Sequence, residues 1–259
     1  MSHTASLVAL RPYDRVMVDA LVWITGGSAG LGAALAVTVP YPDVRVVSIS
    51  RSAGPDGTEH LPADLSDPAS WVAVEQHLLE RMTRFSGSRV VLIHNAGTLT
   101  PIGFAGEVDT AAYRDNVLLN SAAGQVLGHA FVKAVVASGF AGSADLVMIT
   151  SGAASGAYPG WSAYGAGKAA LDQWVRTVGA EQRERDRDLR VLSVAPGVVA
   201  TAMQAEIRST DPADFPAVDR FRQLHDQQEL TPPDQAARGI WTLVDARVES
   251  GTVTDLRRR

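Results

Sequence analysis

Tyr164 and Lys168 stand four residues apart in a run of helix-forming residues, so both side chains can leave one face of a helix together. A phenol beside an ammonium is an acid–base pair. The unperturbed phenol titrates near about 10, and a neighbouring positive charge favours its phenolate, bringing it towards use near neutral pH. A Tyr-x-x-x-Lys spacing alone is equally the mark of a surface pair. Ser151 separates the two readings: it follows the apolar run Asp145–Thr150 and lies thirteen residues before Tyr164, where its hydroxyl can hydrogen-bond a substrate carbonyl oxygen. Tyr158 has Ser162 four positions later and no lysine partner. Ser155 and Ser162 fall away from a strand edge and read as pocket lining or helix caps.

A second group of residues suits a phosphate. Thr25-Gly26-Gly27-Ser28-Ala29-Gly30-Leu31-Gly32 joins an apolar run to an apolar helical segment. Glycine admits backbone shapes and close approaches that a Cβ forbids, and a helix start offers unpaired N–H groups to a pyrophosphate. After the next apolar run, where an acid usually meets the ribose diol of NAD, the chain reads Ser48-Ile49-Ser50-Arg51-Ser52. The acid is missing. Arg51 can take a ribose 2′-phosphate with its planar guanidinium, and Ser50 and Ser52 can donate further bonds, which points to NADP(H). Asp64 and Leu65 are placed to hold the adenine amino group and pack its ring, although an Asp–Leu pair also suits a helix cap.

These residues need elements to position them. Val/Ile/Leu-rich runs at Ala20–Thr25, Arg45–Ser50, Arg89–His94, Asp145–Thr150 and Arg190–Ala195 read as strands covered on both faces, with a further short strand near Thr252–Asp255. Helical periodicity lies between them at Leu31–Val39, Ala69–Phe85, Ala111–Ser138, Ser162–Arg187 and Asp234–Asp245. Pro68 after Asp67 can open the second helix and Gly139 can close the third. The alternation predicts α/β architecture: a single Rossmann-type doubly wound domain over 1–259, with a central parallel sheet of about seven strands. Residues 201–229 mix Pro212, Pro216 and charges with Met203, Ile207, Phe215, Val218 and Phe221. They fit a small helical substrate lid inserted in that domain, or an ordinary surface connection.

Composition narrows the function classes. At 259 residues, 46% hydrophobic and 20% charged, the chain can bury a sizeable core. A formal charge of −5 speaks against a nucleic-acid surface, and Arg257, Arg258 and Arg259, the one basic run, read as a solvated tail. With no cysteine, thiol catalysis, disulfides and thiolate metal sites are excluded, no metal site is expected, and redox chemistry must come from a cofactor. The first seventeen residues lack the continuous apolar stretch of a signal peptide or membrane span, so a cytoplasmic location and no membrane partner are expected.

Taken together, these motifs resemble the short-chain dehydrogenase/reductase family over nearly the whole chain. Thr25-Gly26-x-x-x-Gly30-x-Gly32 is similar to its cofactor turn, and Asn95-Ala96-Gly97 to its motif after the fourth strand. Ser151, Tyr164 and Lys168 match its catalytic residues. Asn120 matches the asparagine that holds a relay water, and Pro196-Gly197-x-x-x-Thr201 the loop facing the nicotinamide. The resemblance implies hydride transfer from NADPH to a carbonyl carbon. Tyr164 would protonate the oxygen, Ser151 steady it, and Lys168 bind the nicotinamide ribose while lowering the phenol pKa. Thr201 and the backbone around Val199 would orient the carboxamide. It also implies a homodimer or homotetramer built on the long helices Ala111–Ser138 and Ser162–Arg187.

Within the family the chain is most similar to the sepiapterin reductase and benzil reductase branch. The cues are His94 to Ile102, Phe215-Pro216-Ala217-Val218-Asp219, and Ser250-Gly251-x-x-x-Asp255. Asp255 then either anchors a pterin or pairs with Arg257 to Arg259. Tyr158, Trp161, Met203 and Phe221 either wall a pocket for a flat substrate or belong to the core. The expected substrate is a small carbonyl compound: an α-dicarbonyl, an aromatic ketone or a pterin side-chain ketone. Two alternatives stand beside this: an alcohol dehydrogenase working oxidatively, and a cofactor-binding regulatory protein without turnover.

Overall fold

The computed structural model describes residues 18–258. The N-terminal stretch read as lacking a leader, and Arg259, lie outside the described residues.

In β1 (Ala20–Thr25), Leu21 and Trp23 pack into one apolar cluster while Val22 and Ile24 pack into another. Strand side chains alternate between faces, so an uninterrupted apolar run demands cover on both sides. The same split recurs in β4 (Arg89–His94), where Val90 and Leu92 face one cluster and Val91 and Ile93 the other. The remaining strands are β2 (Val44–Ser50), β3 (Glu59–Pro62), β5 (Ser143–Ile149), β6 (Leu189–Ala195) and β7 (Val253–Asp255). All pair in parallel, in the order β3-β2-β1-β4-β5-β6-β7. The expected sheet is therefore present. The chain works outward from β1 to β3 and then restarts at β4 on β1's other side. A crevice opens at such a switch point, at the carboxyl ends of the strands.

Of the covering helices, α1 (Gly30–Val37) and α8 (Pro233–Asp245) close one face. On α8 the buried Ala236, Ala237, Ile240, Trp241 and Val244 form one stripe, and the Trp241 Nε1–H bonds the Leu35 carbonyl oxygen at 3.2 Å. The other face is covered by α2 (Pro68–Arg84), α4 (Ala123–Ser138) and α5 (Ser162–Glu184). Asp67 caps α2 by accepting the Ala69 N–H at 3.0 Å ahead of Pro68, and Gly139 ends α4 at φ +65°, both as the residue types predict.

Two elements differ from the sequence reading. β3, whose residues are Glu-His-Leu-Pro, was not among the predicted strands; it is a short edge strand, where a proline is tolerated. The helix expected over Ala111–Ser138 is three pieces: α3 (Thr110–Val117), a wide π-turn (Leu118–Ala122), and α4. The π-turn inserts a residue without breaking the helical run, so the apolar pattern continues through it. Between β6 and α8 the chain forms α6 (Ala202–Ser209) and α7 (Val218–Asp226). Their apolar residues Ile207, Val218 and Phe221 join Leu99, Trp161, Tyr164 and Phe215 in a third cluster beside the sheet's carboxyl edge. No helix among the described residues is long and apolar enough to cross a membrane.

Candidate active site

The glycine turn after β1 owes its shape to contacts with β4. The Thr25 Oγ1 accepts the backbone N–H of Asn95 and of Ala96, each at 3.0 Å, and the Asn95 Nδ2 donates to the Thr25 carbonyl oxygen at 3.1 Å. Gly26 and Gly30 have φ of +65° and +53°, a region that penalises any Cβ. A Cβ on Gly32 would lie 2.1 Å from the Gly26 carbonyl oxygen, so helix and turn approach more closely than another residue allows. Ala29 opens α1 without a side-chain cap, which leaves the first-turn N–H groups unclaimed by a capping side chain.

On the other side of β4, Ser151 follows β5 after the single residue Thr150. Its Oγ accepts the Ala153 N–H at 3.2 Å, and its hydroxyl faces the Tyr164 phenol closely enough to favour the phenolate. Tyr164 is 8% exposed and Lys168, one turn further along α5, is 3% exposed. The Lys168 Nζ donates to the Ile149 carbonyl oxygen at 2.9 Å and lies 5.8 Å from the Tyr164 ring centroid. Burial disfavours charge on both groups. It raises the phenol above its ordinary range, opposed by the Ser151 hydroxyl, and lowers the ammonium to about 8, opposed by Asp172. This corrects the expectation that the lysine draws the phenol down: desolvation of the buried ring outweighs every opposing influence.

The π-turn places Asn120 at the same wall. Its Oδ1 accepts the Thr98 N–H at 3.1 Å, and its Nδ2 donates at 2.7 Å to both the Thr98 carbonyl oxygen and the Asn116 Oδ1. A Cβ on Gly97 would lie 2.8 Å from the Asn120 Oδ1 and 3.4 Å from the Lys168 Nζ, so this glycine is what lets the three segments meet. Both amide hydrogens of Asn120 are spent. It can meet a relay water only as an acceptor.

A cavity of about 820 Å³ runs from the glycine turn past Tyr164 to the third apolar cluster. Gly26, Ala29, Gly30 and Leu31 form one end of its wall, followed by Asn95, Ala96 and Gly97. Ser151, Tyr164 and Lys168 stand at its middle, with Pro196, Gly197, Val199 and Thr201 beside them. The loop after β6 is close enough that a Cβ on Gly30 would lie 3.2 Å from the Thr201 Cγ2. Trp161 stacks on Phe215 with centroids 4.3 Å apart, and Tyr158, Met203 and Phe221 extend that side. Asp255 also lines the cavity, but Arg257 grips its carboxylate through Nε and Nη2, the pairing given as the alternative to a substrate role.

Several expected cofactor residues stand outside these walls. Gly32 packs against the Gly26 carbonyl behind the turn, and Ser28 is half-buried within it. The Ser50 hydroxyl donates to the Ser52 carbonyl oxygen at 2.7 Å, and Asp64 accepts the N–H and hydroxyl of Ser66. Leu65 is packed in the core. Arg51 is exposed and its charge acts on Asp64, whose pKa is lowered chiefly by the Ser66 hydrogen bond. The sequence reading did not single out His94, Asn116, Thr98 or Arg220. His94, Thr98 and Arg220 have partners distant in sequence, Asn116 bonds both Thr100 and its helix neighbour Asn120, and the His94 to Ile102 run contained only His94 and Thr98.

A doubly wound sheet with a glycine turn at its switch point and a Ser/Tyr/Lys group beside it defines a dinucleotide-dependent oxidoreductase. The chain belongs to the short-chain dehydrogenase/reductase family: the model of the short chain dehydrogenases matches residues 20–212. It groups with the benzil reductases. The benzil reductase ((S)-benzoin forming) of Bacillus subtilis is 35% identical over 237 residues, which cover 90% of this chain and 97% of that protein. The Bacillus cereus benzil reductase is 30% identical over 86% of this chain and 93% of its own. Among solved structures, the KRED1-Pglu enzyme superposes with a TM-score of 0.75 at 27% identity, covering 90% of this chain and 99% of that one.

Proposed function

We propose that this chain is an NADP(H)-dependent carbonyl reductase acting on an aromatic ketone or α-dicarbonyl. One observation carries the reading: Ser151, Tyr164 and Lys168 converge on the wall of a single cavity that joins the glycine turn to an aromatic surface. The dinucleotide fits the residues present. Gly26, Gly30 and Gly97 leave a cradle that Cβ atoms would fill, and the uncapped start of α1 suits a pyrophosphate. Arg51 would meet the 2′-phosphate, with Pro196 to Thr201 at the nicotinamide end. When bound, the cofactor supplies the hydride.

The chain's own groups handle the proton. Burial keeps Tyr164 protonated at neutral pH, which suits a donor to an oxygen that becomes basic as the carbonyl is reduced. Ser151, next to that phenol on the cavity wall, fixes the carbonyl oxygen beside it. Lys168, mostly charged below about pH 8, stabilises the phenolate left behind. Asn120 anchors Thr98 beneath Lys168 and can accept from a water returning the proton. Helices α6 and α7 exclude water above the aromatic wall and act as the substrate lid. Asp255, held by Arg257, would have to exchange that guanidinium for a pterin edge, so an aromatic ketone fits better than a pterin. This agrees with benzil reductases as relatives. A homo-oligomer built on the long helices completes the reading.

Tyr164→Phe tests it. NADPH oxidation with benzil should fall by about 10²- to 10⁴-fold, the range for a lost general acid, while NADPH binding followed by fluorescence stays close to wild type. Turnover near the wild-type rate refutes the assignment.

A further inference from the structure

Arg220 lies on α7 one residue before Phe221, and both line the cavity. Its Nη1 donates to the Tyr158 hydroxyl at 2.9 Å, and among the described residues it forms no ion pair. Asp219, its neighbour on α7, pairs with Arg222 at 2.9 Å; of the acids on the cavity wall, Asp255 is held by Arg257 through two nitrogens and Asp172 accepts the Ser193 hydroxyl on the far side, near Lys168. Arg257 is thereby neutralised and Arg220 is not.

The contacts leading inward from this guanidinium are aromatic. The Tyr158 ring centroid is 5.4 Å from that of Trp161, which is 5.5 Å from that of Tyr164. A planar cation with free N–H groups thus stands at the open rim, and the rings of Tyr158 and Trp161 line the way from it to the phenol at the centre. A guanidinium is strongly hydrated only at its edges, and its forked donors match the two oxygens of a carboxylate.

We infer that the cavity takes an anionic aromatic ketone, its carboxylate on the far side of the ring from the carbonyl, with Arg220 holding the carboxylate while the carbonyl meets Tyr164. The inference deepens the carbonyl reductase reading and rests on it for the position of the carbonyl. Charge-assisted hydrogen bonds of this kind should favour the anion over its neutral ester by about ten- to hundredfold in affinity.

The test is calorimetric titration of wild type, Arg220→Met and Arg220→Lys, each with NADP⁺ present, using 4-acetylbenzoate and its methyl ester as probes. The readout is the ratio of the two affinities within one protein, which cancels any loss common to both probes. Wild type should prefer the anion by about tenfold or more, Arg220→Met should bring the ratio near unity, and Arg220→Lys should retain part of it. A wild type without preference, or a preference unchanged in Arg220→Met, overturns the inference. Benzil turnover is measured separately: anion preference without reduction of any carbonyl refutes the reductase reading and leaves the anion site supported.

Discussion

His94 ends β4 fully buried, and the hydrogen bonds around it fix its proton. Its Nδ1 lies 3.1 Å from the Thr25 Oγ1, whose lone pairs already accept the N–H groups of Asn95 and Ala96. The threonine hydrogen must therefore point at Nδ1, so the imidazole is neutral and carries its own hydrogen on Nε2. That Nε2 has no partner, and a Cβ on Gly124 would lie 3.1 Å from it. Burial, and secondarily the charge of Lys168, lower the pKa from 6.5 to about 3. The sign follows. The unfolded chain takes up a proton below about pH 6.5 that the folded chain refuses until about pH 3, so stability is complete above the first value and falls as the pH drops towards the second. One pKa unit is worth about 1.4 kcal/mol, so the loss from about pH 7 to about pH 5 is about 2 kcal/mol from this group alone. His94→Asn removes the titration and keeps an acceptor for Thr25. Urea unfolding of both proteins at the two pH values should show wild type losing about 2 kcal/mol more than the variant over that interval, whatever their difference at neutral pH. Identical losses in the two proteins refute the argument that this imidazole is held neutral.

Gly32→Ala places a methyl 2.1 Å from the Gly26 carbonyl oxygen and 2.7 Å from the Asn95 Nδ2, so the turn must open. NADPH affinity, measured by fluorescence titration, should drop by about tenfold or more, the loss expected when a backbone cradle shifts by an ångström. Arg51→Glu should weaken NADPH well beyond NADH by repelling the 2′-phosphate, and equal effects on both would show that Arg51 does not read it. Lys168 loses its charge as the pH rises through about 8, so benzil reduction should decline above that value. In Lys168→Arg, whose charge persists to far higher pH, the decline should move upward even if the rate is lower. An alkaline limb at the same pH in both proteins would assign it to another group.

What the sequence made legible shares one property: each feature is a requirement that a short stretch of chain meets by itself. A glycine turn needs glycines at particular spacings, a helix face brings Tyr164 and Lys168 together, and Asp67-Pro68 and Gly139 begin and end helices whatever surrounds them. β3 was missed because an edge strand lacks the apolar cover that marks the others, and the π-turn because one extra residue leaves the composition of a helix unchanged. The partners of Arg220 and His94 lie 62 and 69 residues away, and nothing local announces them.

The direction of the Tyr164 pKa belongs to the same class. A charge four residues away is visible in the sequence; the desolvation that raises the phenol is set by α5, the loop after β5 and the third apolar cluster together. The outcome favours one direction of chemistry on the proposed reading. A phenol drawn down by lysine would rest partly ionised and serve as a base for alcohol oxidation. A phenol that burial holds neutral keeps its proton until a stronger base forms beside it, and the oxygen of a carbonyl receiving hydride is such a base. Lys168, itself lowered to about 8, is then charged when the phenolate appears. The same burial that opposes ionisation of the resting tyrosine also strengthens the attraction between the two charges once the proton has left, because the surroundings screen it less.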